Sequence, residues 1–134
     1  MKIIFFTSLF AVSILNAIGA DLIPAKLAGI WAPATSKLQN GLIYEGYAIY
    51  IKTNGLASVV AAPPPIGALW HATYNNTNHV LVLTIKADPD EGLTESMTNY
   101  FIYDPKAQTL STTNNSSKDI LLWHGNQIPE VVFE

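Results

Sequence analysis

The chain has 134 residues, of which 49% are apolar and 13% charged; it contains no cysteine, and its seven basic residues are all lysine against ten carboxylates, for a formal net charge of −3. One domain with a packed core fits this length and composition, whereas disulfide scaffolds, thiolate metal sites and cysteine catalysis are excluded by the missing sulfur. No basic cluster and no guanidinium fork are present, so nucleic acid is not an expected partner.

Residues 1–20, MKIIFFTSLFAVSILNAIGA, begin with Lys2, continue through an apolar run from Ile3 to Leu15 and end in small residues. That order predicts a secretory signal peptide, with cleavage after Gly19 or Ala20. The alternative is a retained anchor, since Ile3 to Ala20 carries no charge and borders on spanning length. The predicted organisation is a signal peptide over 1–20 and a single barrel domain over 21–134, secreted or periplasmic, with no membrane span after cleavage.

The best helical candidate, Leu22 to Leu27, is interrupted by Pro24, and the remaining chain reads as strands rich in Ile, Val, Tyr, Trp and Thr, separated by Gly, Pro, Asn and Asp. Leu27–Pro33 is the first and Leu42–Lys52 the second. Thr53-Asn54-Gly55 predicts a type I′ hairpin, because both Asn and Gly accept positive φ, and Leu56–Ala62 is its partner, stopped by Pro63-Pro64-Pro65. Gly67–Tyr74 and His79–Ala87 flank Asn75-Asn76-Thr77-Asn78. Asp88-Pro89-Asp90-Glu91-Gly92 is a wider turn, after which Leu93–Tyr103 pairs back. Thr109–Thr113, Ile120–His124 and Val131–Phe133 complete the series. Short turns between neighbours predict an antiparallel meander of about eight strands. It closes into an up-and-down barrel or, alternatively, folds as a β-sandwich; closure removes edges that these strands carry few charges to protect.

Gly29-Ile30-Trp31, preceded by Leu27, resembles the first-strand G-x-W motif of the lipocalins and the wider calycin-like barrels. The aromatic strand, the Thr53-Asn54-Gly55 hairpin, the Ala57-Ser58-Val59-Val60 strand and the Gly67–Tyr74 strand continue the likeness to a bacterial lipocalin-like domain. The resemblance implies a barrel that binds a small hydrophobic or amphipathic molecule. It also implies that Trp31 closes one end, often under an arginine from the last strand; with no arginine in this chain, that cap is made by a lysine such as Lys118 or is not made.

The residues singled out for ligand binding are Trp31, Glu45, Tyr47, Trp70 and Tyr100: large rings with polar tips line cavities, and Glu45 is a lone carboxylate on a face predicted to hold Ile43, Tyr47, Ile49 and Ile51. The opposite face, Tyr44, Gly46, Ala48 and Tyr50, reads as an exposed aromatic strip. His71 and His79 sit on neighbouring predicted strands where two imidazoles can hold a metal, but no third ligand accompanies them. Asp88, Asp90 and Glu91 read either as a solvated acidic turn or as calcium ligands. No catalytic motif is present, so no enzyme and no cofactor are expected. The alternative function is a periplasmic protein-interaction module such as an inhibitor or immunity protein. Asn75-Asn76-Thr77 and the two sequons within 114–117 are glycosylation sites in a eukaryotic host, while the absence of cysteine favours a bacterial periplasm.

Overall fold

The computed structural model describes residues 22–113 and 119–134; the predicted signal peptide, Lys118 and the sequons within 114–117 lie outside them. Nine strands follow one another: β1 (Gly29–Pro33), β2 (Lys37–Gln39), β3 (Leu42–Ile51), β4 (Leu56–Ala62), β5 (Ile66–Asn75), β6 (Val80–Ile85), β7 (Met97–Asp104), β8 (Thr109–Thr112) and β9 (Ile120–Trp123). Each of β3 to β8 pairs antiparallel with the next, and β1 pairs with both β9 and β3, which closes an eight-stranded barrel with β2 added outside it against β3. The expected meander and barrel are therefore the fold.

Alternation along each strand places Trp31, Ile49, Ile51, Ala72, Leu81, Leu83, Leu110 and Leu121 inside, all essentially without exposure. At the Trp31 end, residues 22–28 run across the barrel: the amides of Leu22 and Ile23 both donate to Thr53 O, and Ile23 and Leu27 are fully buried beside Trp31. Trp31 Nε1 donates to Leu27 O at 2.9 Å, and its ring meets Tyr103 edge-on at 6.2 Å. Lys26, from the same crossing segment, sits 5.6 Å from the Tyr103 ring centroid, so a cation does stand near this end.

A second apolar cluster lies outside the barrel, where Ile30, Ala32, Ile43, Ala48, Tyr50 and Val60 are covered by Ile128, Val132 and Phe133. This corrects three expectations. Val131–Phe133 is not a strand: Glu130–Phe133 forms a 3₁₀ turn, held by Ser58 Oγ donating to Val132 O and by Lys52 pairing with Glu130 at 3.1 Å. Ala48 and Tyr50 are not exposed, because that turn covers them, leaving Tyr44 alone of the predicted strip's rings in solvent. Ile43 and Tyr47 do not share a face, because the ladder against β2 shifts register and Gly46 takes φ +101°, so that Ile43 joins Ala48 and Tyr50 outside while Tyr47 joins Ile49 inside.

Smaller departures have equally local causes. In the β3–β4 turn only Gly55 has positive φ, and Lys52 N bonds Leu56 O across a three-residue loop, so the turn is not type I′. The strand expected from Leu93 begins only at Met97, because Asp88 and Leu93 bond each other in a separate loop.

Candidate functional site at the open end of the barrel

Opposite the Trp31 end no segment among the described residues crosses the barrel. A small cavity of about 150 Å³ opens there among Tyr47, Ile49, Val59, Leu83, Asn99, Tyr100, Phe101 and Thr112. Next to it, between β5 and the loop joining β6 to β7, lies a cleft of about 840 Å³, walled by Ala68, Leu69, Trp70 and Ile85 on the barrel side and by Glu91, Gly92, Leu93 and Met97 on the loop side. The two are neighbours, since Val59 of the first faces Ala68 of the second across the β4–β5 ladder. Drug-sized ligands occupy sites of roughly 300–1,000 Å³. The barrel interior is filled by its own side chains, so of these two the cleft is the one of that size.

Of the five residues singled out from sequence, three stand around this opening. Tyr47 donates from its hydroxyl to Asp119 Oδ2 at 2.8 Å and lines the small cavity together with Tyr100. Trp70 lines the cleft; its Nε1 is the one buried side-chain polar atom among the described residues that has no hydrogen-bond partner. Trp31 lies at the opposite, plugged end. Glu45 lies outside the barrel, exposed, and pairs with Lys37 of β2 at 3.7 Å; an ion pair this exposed contributes little.

An unmade bond at a buried N–H costs about 1–3 kcal/mol, which makes Trp70 the polar group with the most to gain from an added acceptor. The outer groove of about 430 Å³ beneath the C-terminal turn differs in this respect. Its Ser58 hydroxyl is already bonded to Val132 O, and its Tyr50 hydroxyl donates to Gly41 O at 2.7 Å while accepting from Ile43 N at 3.1 Å. Sequence reasoning placed an aromatic ring at Trp70, but missed the loop wall facing it. The clue was the unequal length of the strands around it: Pro65 lets β5 start at Ile66, whereas Asp88-Pro89 cuts β6 off at Ile85.

The histidines are not brought together. Asn75 faces Val80 across the β5–β6 hairpin while His71 faces Thr84 further along the ladder, so His71 and His79 are several rungs apart. His79 Nδ1 instead shares a hydrogen bond with the Tyr74 hydroxyl at 3.0 Å. Among the described residues no three His, Asp or Glu side chains gather as a metal set. Asp90 and Glu91 form an exposed 3₁₀ turn ended by Gly92 in the left-handed conformation.

Four tyrosines are held above their ordinary value near 10. Burial is the main cause at each; the bond and charge of Asp119 reinforce it at Tyr47, Tyr103 at Tyr74, and Asp104 at Tyr103, while the Ile43 amide partly offsets it at Tyr50. Below pH 10 these phenols are neutral in both folded and unfolded chains and their contribution is fully present. As pH rises past 10 the unfolded chain ionises first, so stability falls until the folded phenols ionise too. Urea unfolding followed from pH 9 to 12 should show this decline, and absorbance titration should show tyrosines that ionise only in its course; constant stability across the window would contradict it.

The fold and the site define a closed all-β barrel, filled at its centre, plugged at one end and cleft at the other. Comparison with known protein families, with curated proteins and with solved structures finds no match to this chain.

Proposed function

We propose that this protein is an exported, lipocalin-like binding barrel that takes a hydrophobic or amphipathic molecule at its open end. The observation that carries this reading is a ligand-sized, largely apolar cleft whose wall includes Trp70, a buried ring whose N–H has no partner. Export rests on the signal-peptide pattern of residues 1–20, and the likeness to lipocalins on Gly29-Ile30-Trp31 at the start of β1. The site differs from a hollow calyx: the ligand is held between a strand and a loop rather than inside the barrel.

A neutral dye with a carbonyl acceptor, Nile red, tests this. Its emission should rise and shift to the blue on titration with the protein, and Trp70→Phe, which keeps a ring but removes the donor, should weaken binding by about tenfold, equivalent to ~1.4 kcal/mol. The same variant should fold at least as stably as the parent, because it removes a buried donor that has no partner. No spectral change with the parent protein, or equal binding by Trp70→Phe, would overturn the assignment.

The outer face favours a second reading. Tyr100 and Ile102 of β7 and Ile120 and Leu122 of β9 are all exposed on the same side, flanking Thr109 and Ser111 of β8. A surface of this kind suits a protein partner, as in an inhibitor or immunity protein. A stoichiometric partner recovered from a periplasmic extract by the parent but not by Ile102→Glu would support it; an identical yield with the variant would count against it.

A further inference from the structure

The barrel is closed at its centre but not along the whole of β5. The β5–β6 ladder ends at His71 opposite Thr84, with Ile85 as the last residue of β6, whereas β5 continues back to Ile66, paired on its other side with β4. In an antiparallel strand the N–H and C=O of one residue point the same way, and successive residues alternate. Ala72 N donates to Gly55 O, on the β4 side, at 2.6 Å. By alternation Trp70, Ala68 and Ile66 also point to β4, while His71, Leu69 and Gly67 point the other way. His71 has Thr84 opposite it; Leu69 and Gly67 have no backbone or side-chain partner among the described residues. Their two N–H and two C=O groups face the side on which the 840 Å³ cleft separates β5 from the β6–β7 loop.

We infer that this edge binds an extended peptide segment, which would add as a short strand beside Gly67–Leu69. The inference rests on the open-end reading above and names the class of its occupant. Two donor–acceptor pairs two residues apart match a β-strand backbone and no compact small molecule. An isolated open edge is ordinarily covered or protected by charge, yet Gly67 has no side chain and Ile66 and Leu69 are exposed and apolar. The far wall supplies Leu93 and Met97 for alternate side chains of the guest. The loop carries Asp88, Asp90, Glu91 and Glu95 against Lys86, so the preferred segment has apolar residues at alternate positions and lysine or arginine at its flanks. The loop is braced by its own bonds, Asp88 with Leu93 and Ala87 N to Ser96 Oγ at 3.0 Å.

The probe is an acetylated, amidated peptide, Lys-Val-Thr-Val-Thr-Lys, titrated into the isotope-labelled protein. The Gly67 and Leu69 amides should shift and gain exchange protection, whereas Ala68 and Trp70, already bonded to β4, should change little. Leu69→Pro removes one free donor without touching the β4 ladder and should weaken the peptide at least tenfold. Asp88→Lys combined with Glu91→Lys should weaken it similarly, and serves if Leu69→Pro fails to fold. Dye binding without peptide binding, equal peptide affinity in the folded variants, or shifts centred on Tyr100 and Ile102 would overturn this inference and leave the open-end reading standing. Failure of both probes would remove both.

Discussion

Trp31→Ala is expected to lower the unfolding free energy by ~4 kcal/mol, within the usual cost of truncating a buried tryptophan. Domains of this size are stable by about 5–15 kcal/mol, so the loss is a large fraction of the total. The ring is fully buried, its N–H is bonded to Leu27 O, and its edge contact with Tyr103 ties β1 to β7 across the interior. It also sits on the strand whose two ladders close the barrel, facing Ile49 on one side and Trp123 on the other. An alanine there leaves a cavity bordered by Ile23 and Leu27, which are held by backbone bonds to Thr53 and Pro24 and can collapse only partly. Trp31→Phe separates the contributions: it keeps most of the volume and leaves Leu27 O without its donor, so its cost should be about 1–3 kcal/mol. Urea unfolding of the three proteins checks the order. Equal stability of Trp31→Ala and the parent would show that the plug does not depend on this ring.

The strands that sequence alone revealed were those bounded by turn chemistry. Pro63-Pro64-Pro65 ends β4, Asn75 to Asn78 separates β5 from β6, and Asp104-Pro105 ends β7, because proline removes ladder donors and Asn and Asp bond their own backbone in turns. Faces were harder to read. Period-2 alternation holds only while the register does, and the irregularity between Ile43 and Gly46 moves Ile43 to the outer face; a glycine among aromatic residues does not announce a bulge, so strict alternation puts Ile43 with Tyr47. The C-terminal Val131-Val132-Phe133 is as apolar as a strand, and what makes it a cover is tertiary: Ser58 and Lys52, far away in sequence, hold it over Ala48 and Tyr50. β2 escaped because Lys37-Leu38-Gln39 holds a single apolar residue. The aromatic residues Tyr47, Trp70 and Tyr100 could be picked out one by one, but the cleft could not, since it arises from a strand outrunning its neighbour, a relation between two lengths.

Gly29→Val should be the most damaging of the backbone changes, costing about 3 kcal/mol or more. Gly29 has φ +131°, a region essentially closed to side chains, where strain alone is worth about 1–3 kcal/mol. Space is lacking too: a Cβ there would collide with the carbonyl oxygen of Gly125 and approach Trp123 Nε1 to 2.6 Å. Those atoms belong to the seam between β1 and the end of β9, where Ile30 N donates to Gly125 O at 2.9 Å and His124 N to Ile30 O at 2.7 Å. A branched side chain would therefore force apart the strands that complete the barrel. Gly125→Ala is the control, because Gly125 also has positive φ, +104°, but nothing lies within 4 Å of its added Cβ. It bears strain without collision and should cost only about 1–2 kcal/mol. The seam lies at the Trp31 end, away from the cleft, so any Gly29→Val protein that remains folded should bind Nile red as the parent does, with the damage confined to its unfolding midpoint. Equal destabilisation by the two substitutions would show that the seam gives way without cost and that strain at positive φ accounts for the whole effect.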